Sequence, residues 1–237
     1  MKDPFVYKDT NISINKLDLR NQELLDQFES TMFQLSFMKI LEEGFVINSV
    51  NDVLILHKLL FEEVYDWAGT ARTSNSRKQE PVLNGLSVNY GEKENILKDL
   101  NKLNKSFKDL NVKNNFIKDL TKLISKIWQI HPFREGNTRT ITVFLYFLLK
   151  KYNLELNVDL IEKSSKYFRN SLVLASIGEY SEYNHLEVIL NDAIFGDSKE
   201  IDKTKIDDNK YSKIKDFDLS KYKYNYHTKK WKDHFRV

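Results

Sequence analysis

Nine consecutive residues, His131-Pro132-Phe133-Arg134-Glu135-Gly136-Asn137-Thr138-Arg139, bring together side chains suited to moving a phosphate-bearing group. His131 can accept a proton near neutral pH. Glu135 is a hard anionic oxygen ligand of the kind Mg²⁺ combines with phosphate oxygens, since that ion takes only one or two carboxylates. Gly136 lets the backbone come close to a ligand or take φ > 0. Asn137 offers an amide donor, and Arg139 a planar fork of donors matched to phosphate. A helix starting at the end of this stretch would leave its first N–H groups unpaired and its positive end facing an anion. Base, metal ligand, anion-binding turn and clamp within one loop point to a nucleotide-transfer site.

The flanking residues must hold that loop. Phe116, Leu120, Leu123, Ile127 and Ile130 recur at spacings of three and four, and Ile117, Ile124 and Trp128 widen the stripe into a mostly buried helix. Pro132 ends it, because proline disfavours helix for the residue before it. Ile141, Phe144, Leu145, Leu148 and Tyr152 predict a second central helix, so the loop rests on two rigid supports. Upstream, a helix is expected over 17–43 with Leu24, Phe28, Leu35 and Met38 on one face, stopped by Gly44. Another is capped by Ser49 or Asn51 and runs through Leu54, Leu59, Leu60, Val64 and Trp67. His57 within it reads as a surface or partly packed histidine. Further helices are expected from Gly91 to Leu110, from Val158 to Leu174 and from Tyr180 to Phe195, with His185 structural. Between 73 and 90, Pro81 and Gly85 separate short extended pieces at Val82-Leu83 and Leu86–Tyr90, which fit two strands around a turn.

Composition narrows the class. The 237 residues suit one domain with an appendage, residues 1–195 and 196–237. Seven Gly and three Pro favour long helices over a turn-rich β fold. The absence of Cys excludes disulfides, thiolate catalysis and cysteine-based zinc sites. Met1-Lys2-Asp3-Pro4 lacks the apolar core of a signal peptide, and the longest apolar run, Val143 to Leu149, is too short to span a bilayer. A cytoplasmic protein with access to ATP and no membrane partner is expected. A net charge of +3 is too small to argue for nucleic acid. Beyond Phe195, Tyr222, Tyr224, Tyr226, Trp231 and Phe235 alternate with lysines; an appendage is the preferred reading over base stacking.

The loop resembles the Fic family signature, His-Pro-Phe-x-Asp/Glu-Gly-Asn-Gly/Lys-Arg, departing from it at Thr138. Tyr65-Asp66-Trp67-Ala68-Gly69 with Arg72 is similar to the upstream Fic segment leading into the flap. The resemblance implies an all-α Fic fold with a short β-hairpin flap at 73–90 over the active site. It also implies a protein adenylyltransferase that moves AMP from ATP to a Ser, Thr or Tyr hydroxyl of a target docked on the flap by strand addition. On that pattern His131 is the general base and Glu135 holds Mg²⁺. Gly136, Asn137, Thr138 and Arg139 bind the nucleotide, and Phe133 anchors the loop in the core. Arg134 occupies the variable position and receives no chemistry. Two alternatives stay open: a Fic-type phosphotransferase or other nucleotidyl transfer, and an idle Fic fold serving as an interaction module. Whether the chain forms a homo-oligomer also stays open.

Two departures bear on regulation. Many Fic proteins carry a second Arg where this chain has Thr142, and self-inhibited members place a glutamate against it. The nearest match to the inhibitory motif, Ser30-Thr31-Met32-Phe33-Gln34, has an amide in place of the acid. Inhibition by a glutamate of this chain is therefore expected to be weak or absent.

Overall fold

In the computed structural model, which describes residues 3–196 together with 210, 211 and 214, eight α-helices follow one another. They are α1 (Gln22–Glu43), α2 (Asp52–Phe61), α3 (Ile96–Lys108), α4 (Phe116–Ile130), α5 (Asn137–Lys151), α6 (Val158–Lys163), α7 (Ser165–Leu174) and α8 (Asn184–Phe195). The centre is α4 packed on α5. α4 buries Phe116, Leu120, Leu123, Ile124, Ile127, Trp128 and Ile130, and α5 buries Ile141, Phe144, Leu145, Leu148 and Leu149. Burying an aliphatic or aromatic side chain of this size contributes ~1.5–3 kcal/mol. Truncating fully buried Phe144 to alanine would cost about 3–5 kcal/mol through lost burial and the cavity left behind. Around this pair, α3 lies on one side of α4 and α7 with α8 on the other, α2 covers α5, and α1 packs outermost on α2.

The helical expectations hold with shifts. α1 starts at Gln22, where Asn21 caps it by accepting the Leu24 N–H at 3.1 Å. Its inward face differs from the expected one. Leu24, Leu35 and Met38 are exposed and Phe28 is half-buried, while Leu25, Glu29, Ser36 and Ile40 face inward. α1 carries apolar residues on both flanks, so periodicity alone could not choose between them. α2 has Asn51 at its N-cap position, but the Asn51 side chain makes no capping hydrogen bond; Asp52 Oδ2 instead accepts the N–H groups of Asn48 (2.6 Å) and Ser49 (2.9 Å) just before the helix. The expected 158–174 helix is broken at Ser164 into α6 and α7.

The hairpin expected at 73–90 is not formed; among the described residues there is no strand, only an isolated bridge between Val6 and Ser13. Pro81–Leu83 makes a 3-10 turn, and Asn84 and Gly85 are left-handed. The Glu80 N–H donates to Leu86 O and the Gly85 N–H to Glu80 O, both at 3.0 Å. The next N–H along, on Lys78, goes to the Ser87 hydroxyl at 3.2 Å instead of a carbonyl. The pairing therefore does not continue past the turn as a ladder. Residues 222–235, the aromatic and basic stretch, lie outside the described residues.

Candidate active site

The loop between α4 and α5 is built by its own exceptional residues. His131 closes α4 in the left-handed region at φ 51°, and Gly136 opens α5 at φ 76°. A Cβ on Gly136 would sit 2.7 Å from the Phe61 ring and 3.3 Å from His57 Nε2, so only glycine fits. Phe133 is 1% exposed and stacks on His57 with ring centroids 3.7 Å apart. It anchors the loop in the core.

His57 is not the surface residue the sequence suggested. It is fully buried; its Nδ1 accepts the Gly69 N–H at 2.8 Å and its Nε2 lies 3.2 Å from Glu135 O. Burial pushes its pKa down to about 3, so it is the neutral ring with Nε2–H donating to the loop. A lone histidine on an apolar face gave no signal of this role.

Arg72 is likewise buried. Its guanidinium donates to four carbonyls: His131 O (2.7 Å), Ser74 O (2.6 Å), Gly91 O and Ile130 O (3.3 Å). Its own N–H donates to Pro132 O at 2.8 Å. One residue thus ties together the end of α4, the loop that follows it and both ends of the 73–90 segment.

The residues expected to do chemistry meet in this frame, but several have partners the sequence did not reveal. His131 is 2% exposed, its ring packed against Tyr90 (4.2 Å between centroids) and Trp128 (5.4 Å). Neither ring nitrogen has a hydrogen-bond partner. Burial first, then the charges of Lys78, Arg72 and Arg169, hold its pKa well below the usual imidazole value. It is therefore neutral at pH 7, with a free lone pair, and enclosed. The Glu135 carboxylate is 36% exposed; Oε1 receives Arg134 Nη1 at 2.6 Å and Oε2 faces Lys78 Nζ at 3.4 Å. Arg134, which had no assigned part, also reaches Asp3 at 2.9 Å.

Asn137 is buried, and its side chain bridges the loop: Oδ1 accepts the Phe133 N–H at 3.0 Å and Nδ2 donates to Phe133 O at 2.8 Å. Thr138 accepts the Trp128 indole N–H at 3.0 Å. Both side chains shape the turn, leaving the first-turn backbone amides of α5 to face an anion. Arg139 is ion-paired with Glu29 of α1, and its guanidinium lies over Phe61 (5.0 Å) and Phe33 (5.5 Å). The second Glu29 oxygen receives the Tyr65 hydroxyl. This glutamate lies outside the Ser30–Gln34 stretch and pairs with Arg139, not with the position of Thr142. Gln34 is exposed, and the acid comes instead from Glu29, more than a turn earlier.

The Fic/DOC family model matches residues 48–149. The probable protein adenylyltransferase y4lH of Sinorhizobium fredii is 29% identical over 188 residues, covering 76% of this chain and 91% of that protein. The N-terminal Fic domain of a Bartonella effector protein superposes with a TM-score of 0.69 at 20% identity, over 85% of this chain and 95% of that one. BepC of Bartonella tribocorum, solved with bound AMPPNP, gives a TM-score of 0.67 at 18% identity over 80% and 95% of the two chains.

Proposed function

We propose, from the match of residues 48–149 to the Fic/DOC family model, that this chain is a Fic protein that transfers AMP from ATP to a hydroxyl of a target protein. The observation carrying this is the loop itself: a neutral, partnerless imidazole at one end, a carboxylate and the start of α5 at the other. The kinship with y4lH, named a probable protein adenylyltransferase, supports the same reaction.

In the step proposed, the target hydroxyl oxygen attacks the α-phosphorus. The bond from that phosphorus to the oxygen bridging to the β-phosphate breaks, and pyrophosphate leaves. The hydroxyl proton goes to the vacant nitrogen of His131, which burial keeps unprotonated beforehand. Backbone N–H groups at Gly136, Asn137 and Thr138 face the α-phosphate at the positive end of α5. Arg139 exchanges the Glu29 carboxylate for a phosphate oxygen.

Magnesium fits this donor set. No group of three or more metal-binding side chains exists among the described residues, so no resident cage is formed. Glu135 alone offers a carboxylate, as suits an ion that keeps most of its shell in phosphate oxygens and water. Bound there, the ion would supply charge neutralisation for the phosphates. The target would lie along residues 73–90, which carry Tyr90 over His131, so that segment must shift to admit a hydroxyl.

Incubation with Mg²⁺ and ATP labelled at the α- or the γ-phosphate tests the proposal. α-Label alone is expected on protein, and none with His131→Ala. Label from the γ-phosphate alone would mean phosphoryl transfer, and no label with a competent target would leave a binding module.

A further inference from the structure

The two cations on Glu135 are held differently. Arg134 meets Oε1 at 2.6 Å and is fixed from its other side by Asp3 at 2.9 Å, so it has reason to stay. Lys78 meets Oε2 at the longer distance of 3.4 Å, from a side chain 31% exposed. Its backbone is pinned while its stem is not. The Lys78 N–H donates to Ser87 Oγ at 3.2 Å. Two residues on, fully buried Glu80 is gripped by Arg169 (2.6 and 3.1 Å) and by the Tyr90 hydroxyl (2.8 Å). Four methylenes on a fixed base give the ammonium a small arc to move through. That arc borders both Glu135 and the enclosed His131 ring, on which the Lys78 charge also acts.

A divalent cation arriving at Oε2 repels the ammonium and takes its acceptor, while the nucleotide brings several anionic oxygens to the same place. We propose that Lys78 is a nucleotide-binding residue: it occupies the metal position on Glu135 in the empty site and moves onto the phosphates when cation and nucleotide enter. This rests on the reading of the loop as an ATP site. It assigns the 73–90 segment a part in holding the nucleotide, beside any part in holding the target. Arg134, locked by Asp3, remains on the carboxylate and orients it.

Two titrations of the full chain test this, one with a fluorescent ATP analogue in Mg²⁺ and one with Mn²⁺ alone followed by its electron paramagnetic resonance. Lys78→Met is expected to weaken nucleotide binding about tenfold or more, the scale of a lost charge-assisted contact. It is expected to leave Mn²⁺ binding as tight as in the wild type or tighter, because a competitor has gone. Lys78→Arg should keep nucleotide affinity close to wild type. Lys98→Met, which removes the same charge from the exposed side of α3, should change neither. Unchanged nucleotide affinity in Lys78→Met, or a parallel loss of both affinities, would overturn the exchange while leaving the ATP site standing. Failure of the wild type to bind the analogue at all would overturn both.

Discussion

His131 and His57 are both buried and both held neutral, the first with no hydrogen-bond partner and the second with two. The unfolded chain protonates each ring near pH 6.5, whereas the folded chain does so far lower, at about 3 for His57. As pH falls below 6.5 the unfolded state therefore takes up protons that the folded state refuses, and stability drops. Each ring adds a slope of about 1.4 kcal/mol per pH unit until its folded pKa is reached. His57→Gln should remove one proton from that slope in urea unfolding followed between about pH 6 and 4. A slope equal to that of the wild type would mean that His57 is charged in the fold. In the proposed reaction the same depression would serve His131, since a base kept unprotonated at pH 7 could accept the target's proton.

At the level of elements, α4 and α5 fix the two ends of the loop, and α1 supplies the charge that answers it. Glu29 sits on the inward face of α1, where it holds Arg139 and the Tyr65 hydroxyl together. In the proposed site a nucleotide phosphate would compete with this carboxylate for the guanidinium. Glu29→Gln keeps a hydrogen-bond acceptor for Tyr65 but removes the charge. It should raise affinity for ATP several-fold in a fluorescence titration while lowering the melting temperature. Affinity equal to wild type would show that Arg139 does not meet the nucleotide. α1 was legible as a helix but not in its rotation, because its polar inward residue, Glu29, is explained only by partners 36 and 110 positions away.

Across the whole molecule, the site is closed by long-range polar ties rather than by sheet pairing. Arg72 joins the 73–90 segment to the end of α4, and Arg169 of α7 joins it to the opposite side through Glu80. Arg72→Met would leave buried carbonyls without donors, a cost of about 1–3 kcal/mol for each left dry. Arg169→Met should loosen the segment over His131 without touching the loop. Modification of His131 by diethylpyrocarbonate, read by mass spectrometry, is then expected to speed up. An unchanged rate would mean that Tyr90 and Trp128 enclose the ring unaided.

The sequence alone determined the helical class, the two central helices, the loop between them and the chemistry its side chains can perform. Those properties are local: apolar spacing sets helix faces, Pro132 and Gly136 set the ends, and side-chain type sets reactivity. Tertiary structure decided which of those side chains are free. Asn137 and Thr138 bind the loop's own frame, Arg139 belongs to Glu29, His57 and Arg72 support the turn from afar, and His131 lies under Tyr90. Apart from the Asn137 and Thr138 contacts, which are local, these join residues distant in the chain, and such pairing leaves no period or spacing in a single sequence to read.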